Sequence, residues 1–140
     1  LEFVREVNGV RYYNDSKATT PESSIAAVTA FQEPVILIAG GYDKGINFSE
    51  FAGKCAQHAK TVVLIGKTAG KIKELILEKK GSGETPSIFM LKTFEEAFRQ
   101  ANALAKAGDV ILLSPACASY DMFLNYEERG RQFKDMIQAL

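Results

Sequence analysis

Val35-Ile36-Leu37-Ile38-Ala39, followed at once by Gly40-Gly41, is the stretch that decides the fold. Five apolar residues run without a polar alternate, so a strand built from them is buried on both faces. Parallel sheets covered by helices on each side are made of such strands. Three further runs have the same character: Val62 to Ile65, Ile88 to Leu91 and Val110 to Leu113. Between them lie helical stripes. Phe94, Ala97, Phe98, Ala101, Leu104 and Ala105 follow i, i+3, i+4 spacing, as do Ile72, Leu75 and Ile76, and Phe133, Met136, Ile137 and Leu140. Thr20-Pro21 reads as an N-cap followed by proline at the first helical position.

Upstream, Phe3 to Val7 and Val10 to Tyr13 flank Asn8-Gly9. That pair suits a two-residue hairpin turn, because both positions need positive φ. The expected architecture is therefore α/β: a mostly parallel sheet flanked by helices, with an N-terminal β-hairpin. The 140 residues suit one domain over 1–140. The chain is 46% hydrophobic and 24% charged, which excludes a disordered or low-complexity segment. Lys+Arg and Asp+Glu are 17 each, so there is no basic excess for nucleic acid. No apolar run reaches membrane-spanning length, so neither nucleic acid nor membrane is an expected partner. The two cysteines, Cys55 and Cys117, are too few for a disulfide framework or a zinc site and read as reduced residues of a cytoplasmic protein. The absence of an initial Met makes a piece of a longer chain the expectation.

In parallel α/β sheets ligands bind outside the carboxyl ends of the strands. After the hairpin comes Asn14-Asp15-Ser16-Lys17-Ala18-Thr19-Thr20, a polar loop entering a helix N-terminus, suited to an anion, with Lys17 as a full charge and Asp15 as an acceptor for sugar hydroxyls. After Ala39 comes Gly40-Gly41-Tyr42-Asp43-Lys44-Gly45, whose glycines allow close approach and whose Lys44 is a point charge. After Leu113 comes Ser114-Pro115-Ala116-Cys117-Ala118-Ser119-Tyr120, in which Ser119 can donate to a carboxylate. Gly66-Lys67-Thr68 imitates a P-loop, but the position five residues before Gly66 is Thr61, inside a strand. The lone histidine, His58, reads as a surface residue and Cys117 as a small buried one, so no Cys-His nucleophile is expected and no metal cluster has ligand spacing. Taken alone, these residues give a crevice of two lysines and several hydroxyls, suited to a small dicarboxylate or a phosphorylated ligand.

Asp15-Ser16-Lys17-Ala18-Thr19, Gly40 to Gly45, and Leu113 to Ser119 continuing through Phe123, Asn125 and Glu128-Arg129-Gly130 together resemble the C-terminal domain of the Mur ligases, most closely the D-glutamate-adding members. The resemblance covers essentially the whole chain. It implies a Rossmann-like fold and the third domain of a three-domain, ATP-dependent amide ligase. Such an enzyme adds D-glutamate to UDP-N-acetylmuramoyl-L-alanine through an acyl phosphate, in the synthesis of peptidoglycan precursors. It further implies that Asn14, Asp15 and Lys17 meet the nucleotide and that Lys17 and Lys44 are catalytic. Thr19, Lys44, Ser119, Tyr120 and Tyr126 would hold D-glutamate. ATP and Mg2+ would be held mainly by a central domain that is not in this sequence, and the 140 residues alone would be inactive. Thr20 stands where the family often has Asn and Tyr126 where it often has Phe; both keep rough size. The alternatives are a sibling Mur-type or folylpolyglutamate-type ligase with another amino acid, and a non-catalytic nucleotide-binding module.

Overall fold

The computed structural model describes all residues, 1–140. The chain opens with the expected hairpin, β1 (Glu2–Val7) and β2 (Val10–Asn14), paired antiparallel. Asn8 and Gly9 take φ of 53° and 80° at its turn, the left-handed pair that matches the twist of the flanking strands. Helices and strands then alternate: α1 (Pro21–Val28), β3 (Val35–Gly40), α2 (Ser49–His58), β4 (Ala59–Ile65), α3 (Ala69–Lys80), β5 (Ser87–Met90), α4 (Phe94–Leu104), β6 (Val110–Leu113) and α5 (Tyr126–Gln138).

The six strands form one sheet in the order β1-β2-β6-β3-β4-β5, parallel everywhere except at the hairpin. The last strand of the sequence thus lies between β2 and β3. Its register places Leu113 beside both Asn14 and Ile38, so β2 and β6 end level while β3 runs two residues further, to Gly40.

Three of the four apolar runs have the expected cause, burial on both faces; the fourth, from Ile88, is instead the edge strand β5, only half-buried, with Met90 exposed, because no strand lies beyond it. Leu37, Val62, Leu64 and Leu112 point to one side of the sheet, where Phe51, Cys55, Ile72 and Ile76 of α2 and α3 cover them together with α1. Ile36, Ile38, Val63, Ile111 and Leu113 point to the other side, under Phe94 and Phe98 of α4 and Phe133 and Ile137 of α5. Every residue of β3 and β6 is buried. α1 begins as the sequence indicates, with the Thr20 hydroxyl accepting from the Ser23 N–H and Pro21 at the first helical position. No helix is long and apolar enough to cross a membrane.

Candidate functional site

Three loops leave the neighbouring C-terminal ends of β2, β6 and β3 and are laced together by main-chain bonds. The Asp15 N–H donates to the Leu113 carbonyl at 2.7 Å, Ser114 N–H to Ile38 at 3.2 Å, Gly40 N–H to Pro115 at 2.9 Å, and Ala116 N–H to Ala18 at 3.0 Å. Ala116 holds φ at +60°, a strained conformation for a residue with a side chain, and its N–H bond to Ala18 joins two of these loops. Asp15 is buried; its Oδ2 accepts from the Ser114 hydroxyl at 2.8 Å. Its Oδ1 lies 3.1 Å from the Leu1 nitrogen.

Asn14, Asp15 and Lys17 line one cleft of about 380 Å³. Its far wall is α5, through Glu127, Arg131 and Lys134. Lys134 is paired with Glu2 at 3.5 Å. Asn14 is fixed from both ends of its amide, accepting from the Ser16 N–H and donating to Glu2, both at 3.1 Å. Tyr126, assigned on the sequence to the amino-acid set, lines this same cleft, and its carbonyl accepts from the Ser16 hydroxyl at 2.6 Å.

Thr19, Lys44, Ser119 and Tyr120 lie outside that cleft, on the loops that follow β2, β3 and β6. Ser119 is 2% exposed, and its carbonyl accepts from the N–H groups of Met122 and Phe123. Tyr120 is 64% exposed. Lys44 Nζ sits 5.8 Å from the Tyr120 ring centre, within cation–π range, and Tyr120 in turn meets Tyr42 edge-on at 6.0 Å. The neighbouring acid does not neutralise Lys44. The Asp43 carboxylate accepts from the Gly45 N–H at 2.9 Å and pairs with Lys71 at 3.5 Å, and these contacts, the Gly45 bond first, hold its pKa below the usual value.

The P-loop imitation has a structural use. Thr68 is fully buried, its hydroxyl accepts from the Gly41 N–H at 3.0 Å, and it lies 3.4 Å from Cys117 Sγ. Gly66 (φ +78°) is one of the places where the loops touch closely: a Cβ there would stand 2.6 Å from Asp121 Oδ2 and 2.7 Å from Gly41 Cα. Asp121 Oδ2 also accepts from the Lys67 N–H at 3.2 Å.

The residue that the sequence reading left without a role is Arg129. It is 1% exposed and its guanidinium is spent on the loops: Nε donates to the Ser16 hydroxyl at 2.8 Å, Nη2 to the Ser16 carbonyl at 2.7 Å, and Nη1 to the Cys117 carbonyl at 3.0 Å. Burial pulls its pKa down to about 10, which leaves it charged at neutral pH. A signal was present, since Arg129 shares the buried stripe of α5 with Phe133 and Ile137, a place where a cation needs a reason.

The sequence pattern of the Mur ligase glutamate ligase domain matches residues 1–117. The whole chain is 49% identical to a UDP-N-acetylmuramoylalanine–D-glutamate ligase of Caldanaerobacter subterraneus, of which it covers 31%, and 51% identical to one of Thermoanaerobacter sp. strain X514, of which it covers 30%. The chain therefore spans about a third of the length of these curated relatives. Among solved structures, a domain from a putative UDP-N-acetylmuramate:L-alanyl-gamma-D-glutamyl-meso-diaminopimelate ligase of Haemophilus ducreyi has a TM-score of 0.62 at 18% identity, over 83% of this chain and 87% of that one. At that identity the likeness is one of fold.

Proposed function

Because the chain belongs to the Mur ligase family, as its glutamate ligase domain, we propose that it is the amino-acid-delivering third of an ATP-dependent ligase that joins D-glutamate to UDP-N-acetylmuramoyl-L-alanine in the cytoplasm. The observation that carries this reading is the convergence of the loops after β2, β3 and β6, which sets the cleft lined by Asn14, Asp15 and Lys17 near a second group of cation and hydroxyl donors.

A dicarboxylate needs two separate donor groups, and two are present. Lys44 with Thr19 serves one carboxylate of D-glutamate, and Ser119, flanked by Tyr120, the other. The Tyr120 ring limits where the Lys44 ammonium can swing, which orients the substrate amine towards the reacting carbonyl. On the other side of the loops, Asp15 accepts from ribose hydroxyls, Asn14 holds the loop backbone, and Lys17 offers its charge to the phosphates. Tyr126 closes that cleft from α5. ATP, when bound, transfers its terminal phosphoryl group to the alanyl carboxylate, leaving ADP and an acyl phosphate; the glutamate amine then attacks that carbonyl, forming the amide and releasing inorganic phosphate and a proton. The chain contains no group of three acidic, His or Cys side chains able to hold a metal. On this reading the Mg2+ that accompanies ATP is held mainly by the rest of the ligase.

The test is a phosphate-release assay on the full-length ligase carrying this domain, with UDP-N-acetylmuramoyl-L-alanine and ATP. D-Glutamate is expected to support turnover, and L-glutamate or a diamino acid is not. Lys44→Ala is expected to raise KM for D-glutamate by about 10- to 100-fold, the range for losing one hydrogen bond to a charged group, with KM for ATP little changed. Equal turnover with L-glutamate, or an unchanged KM in Lys44→Ala, overturns the reading.

A further inference from the structure

Arg129 stands in an unfavourable place by every local rule. It lies in the first turn of α5, where the helix dipole disfavours a cation. It is 1% exposed, and all of its hydrogen-bond partners are neutral: two carbonyls and one hydroxyl. A buried charge without a counter-ion costs stability, and an apolar residue would pack on this stripe beside Phe133 at no such cost. What the guanidinium gains for the fold is a connection. Ser16, which takes two of its bonds, stands between Asp15 and Lys17. Cys117, which takes the third, stands two residues before Ser119. The glycine loop lies against the same group, since a Cβ on Gly41 would be 3.6 Å from Nη1. Only a planar fork can hold two loops at once in this way; an ammonium is a single point.

We infer that Arg129 is a positioning residue that fixes the Asp15–Lys17 loop and the Cys117–Tyr120 loop relative to each other, so that the nucleotide contacts and the amino-acid contacts are set together. The inference rests on the function proposed above for its kinetic consequence, and on the geometry alone for its effect on the loops. Both can be read separately. In the full-length ligase, Arg129→Lys is expected to raise KM for ATP and KM for D-glutamate together, each by about tenfold or more, the size of a small misplacement of binding groups. Millimolar guanidinium is expected to bring both values back towards wild type in Arg129→Ala. A merely structural role would lower the active fraction, and so kcat, and leave both KM values alone; that result overturns the inference.

The second readout is amide hydrogen exchange in the same proteins. The N–H groups of Ser16 and Ala116 are expected to exchange at least about tenfold faster in Arg129→Lys, with the β3 and β4 amides unchanged. Unchanged exchange at both positions overturns the inference. Faster exchange in an enzyme indifferent to D-glutamate upholds the loop coupling and overturns the functional reading instead. Should Arg129→Lys fail to fold, Ser16→Ala removes the hydroxyl that joins Nε to the Tyr126 carbonyl. It is expected to raise both KM values by about tenfold or more, as for losing a hydrogen bond from a charged group, and two unchanged values overturn the inference.

Discussion

Cys117 sits in the middle of the loop that carries Ser119, yet its chemistry is silenced by its surroundings. It is fully buried, and burial pushes its thiol up to about 11. Cys55, buried in α2, is pushed up further. At pH 8 only about one Cys117 in a thousand is then a thiolate, and the thiolate is the nucleophile. Neither cysteine is expected to react with iodoacetamide in the native protein over an hour at pH 8, and both should react in urea; mass spectrometry counts the adducts. Rapid labelling of the native protein would contradict the burial described. At this scale the sequence was readable where a residue type fits its surroundings, as for the small thiol in an apolar loop. Where a residue defies them, as Arg129 does on the buried stripe of α5, the pattern flags the anomaly but not its partners. Arg129 and Thr68 act through partners more than ten residues away, and no local pattern contains those partners.

Single elements follow their local signals closely when a cap or a turn marks them. Thr20, Thr93 and Asn125 each accept an N–H of the first helical turn, at the starts of α1, α4 and α5. Asn125 matters most, because α5 carries Arg129. Asn125→Ala is expected to lower the unfolding free energy by about 1 kcal/mol, measured by urea titration. Thr68→Val is expected to cost more, about 1–3 kcal/mol, since the Gly41 N–H is buried and loses its acceptor. Where no cap exists the boundary was obscure. α2 starts after Phe48 with no side-chain cap, and its buried residues Phe51, Ala52 and Cys55 are separated by Gly53 and Lys54. β4 likewise begins at Ala59, before the apolar run proper, because Lys60 and Thr61 find polar partners in Asp109 and Ser87.

Across the whole molecule the stability lies in the two apolar layers on either side of the sheet. Leu37→Ala, at the centre of β3, is expected to cost about 2–5 kcal/mol by the same urea measurement, as for other fully buried leucines. The parallel character of the sheet was legible from the uniform apolar runs. The strand order was not, because the four runs are chemically alike and none says which neighbours it will take. Nor did the sequence separate Tyr126, which lines the cleft with Asn14, Asp15 and Lys17, from Ser119 and Tyr120, which do not.

That strand order also sets a timetable. β2 touches only β1 and β6, and β3 touches only β4 and β6. Until residues 110–113 are made, the hairpin is an isolated two-stranded piece, marginal in water, and β3, β4 and β5 form a separate sheet with an open edge. Within this domain Asp15 and Lys17 are made before the strands that hold them, yet they acquire their places only when nearly the whole domain has followed. A chain stopped at Asp109 is expected to show no protected amides in its hairpin, while the same amides become protected once the stop is moved to the C-terminus. Synthesis and assembly of the binding surface thus run in opposite senses: its first-made loop waits for a strand made about a hundred residues later, and a nascent chain paused in that interval offers chaperones and proteases a bare sheet edge rather than a finished protein.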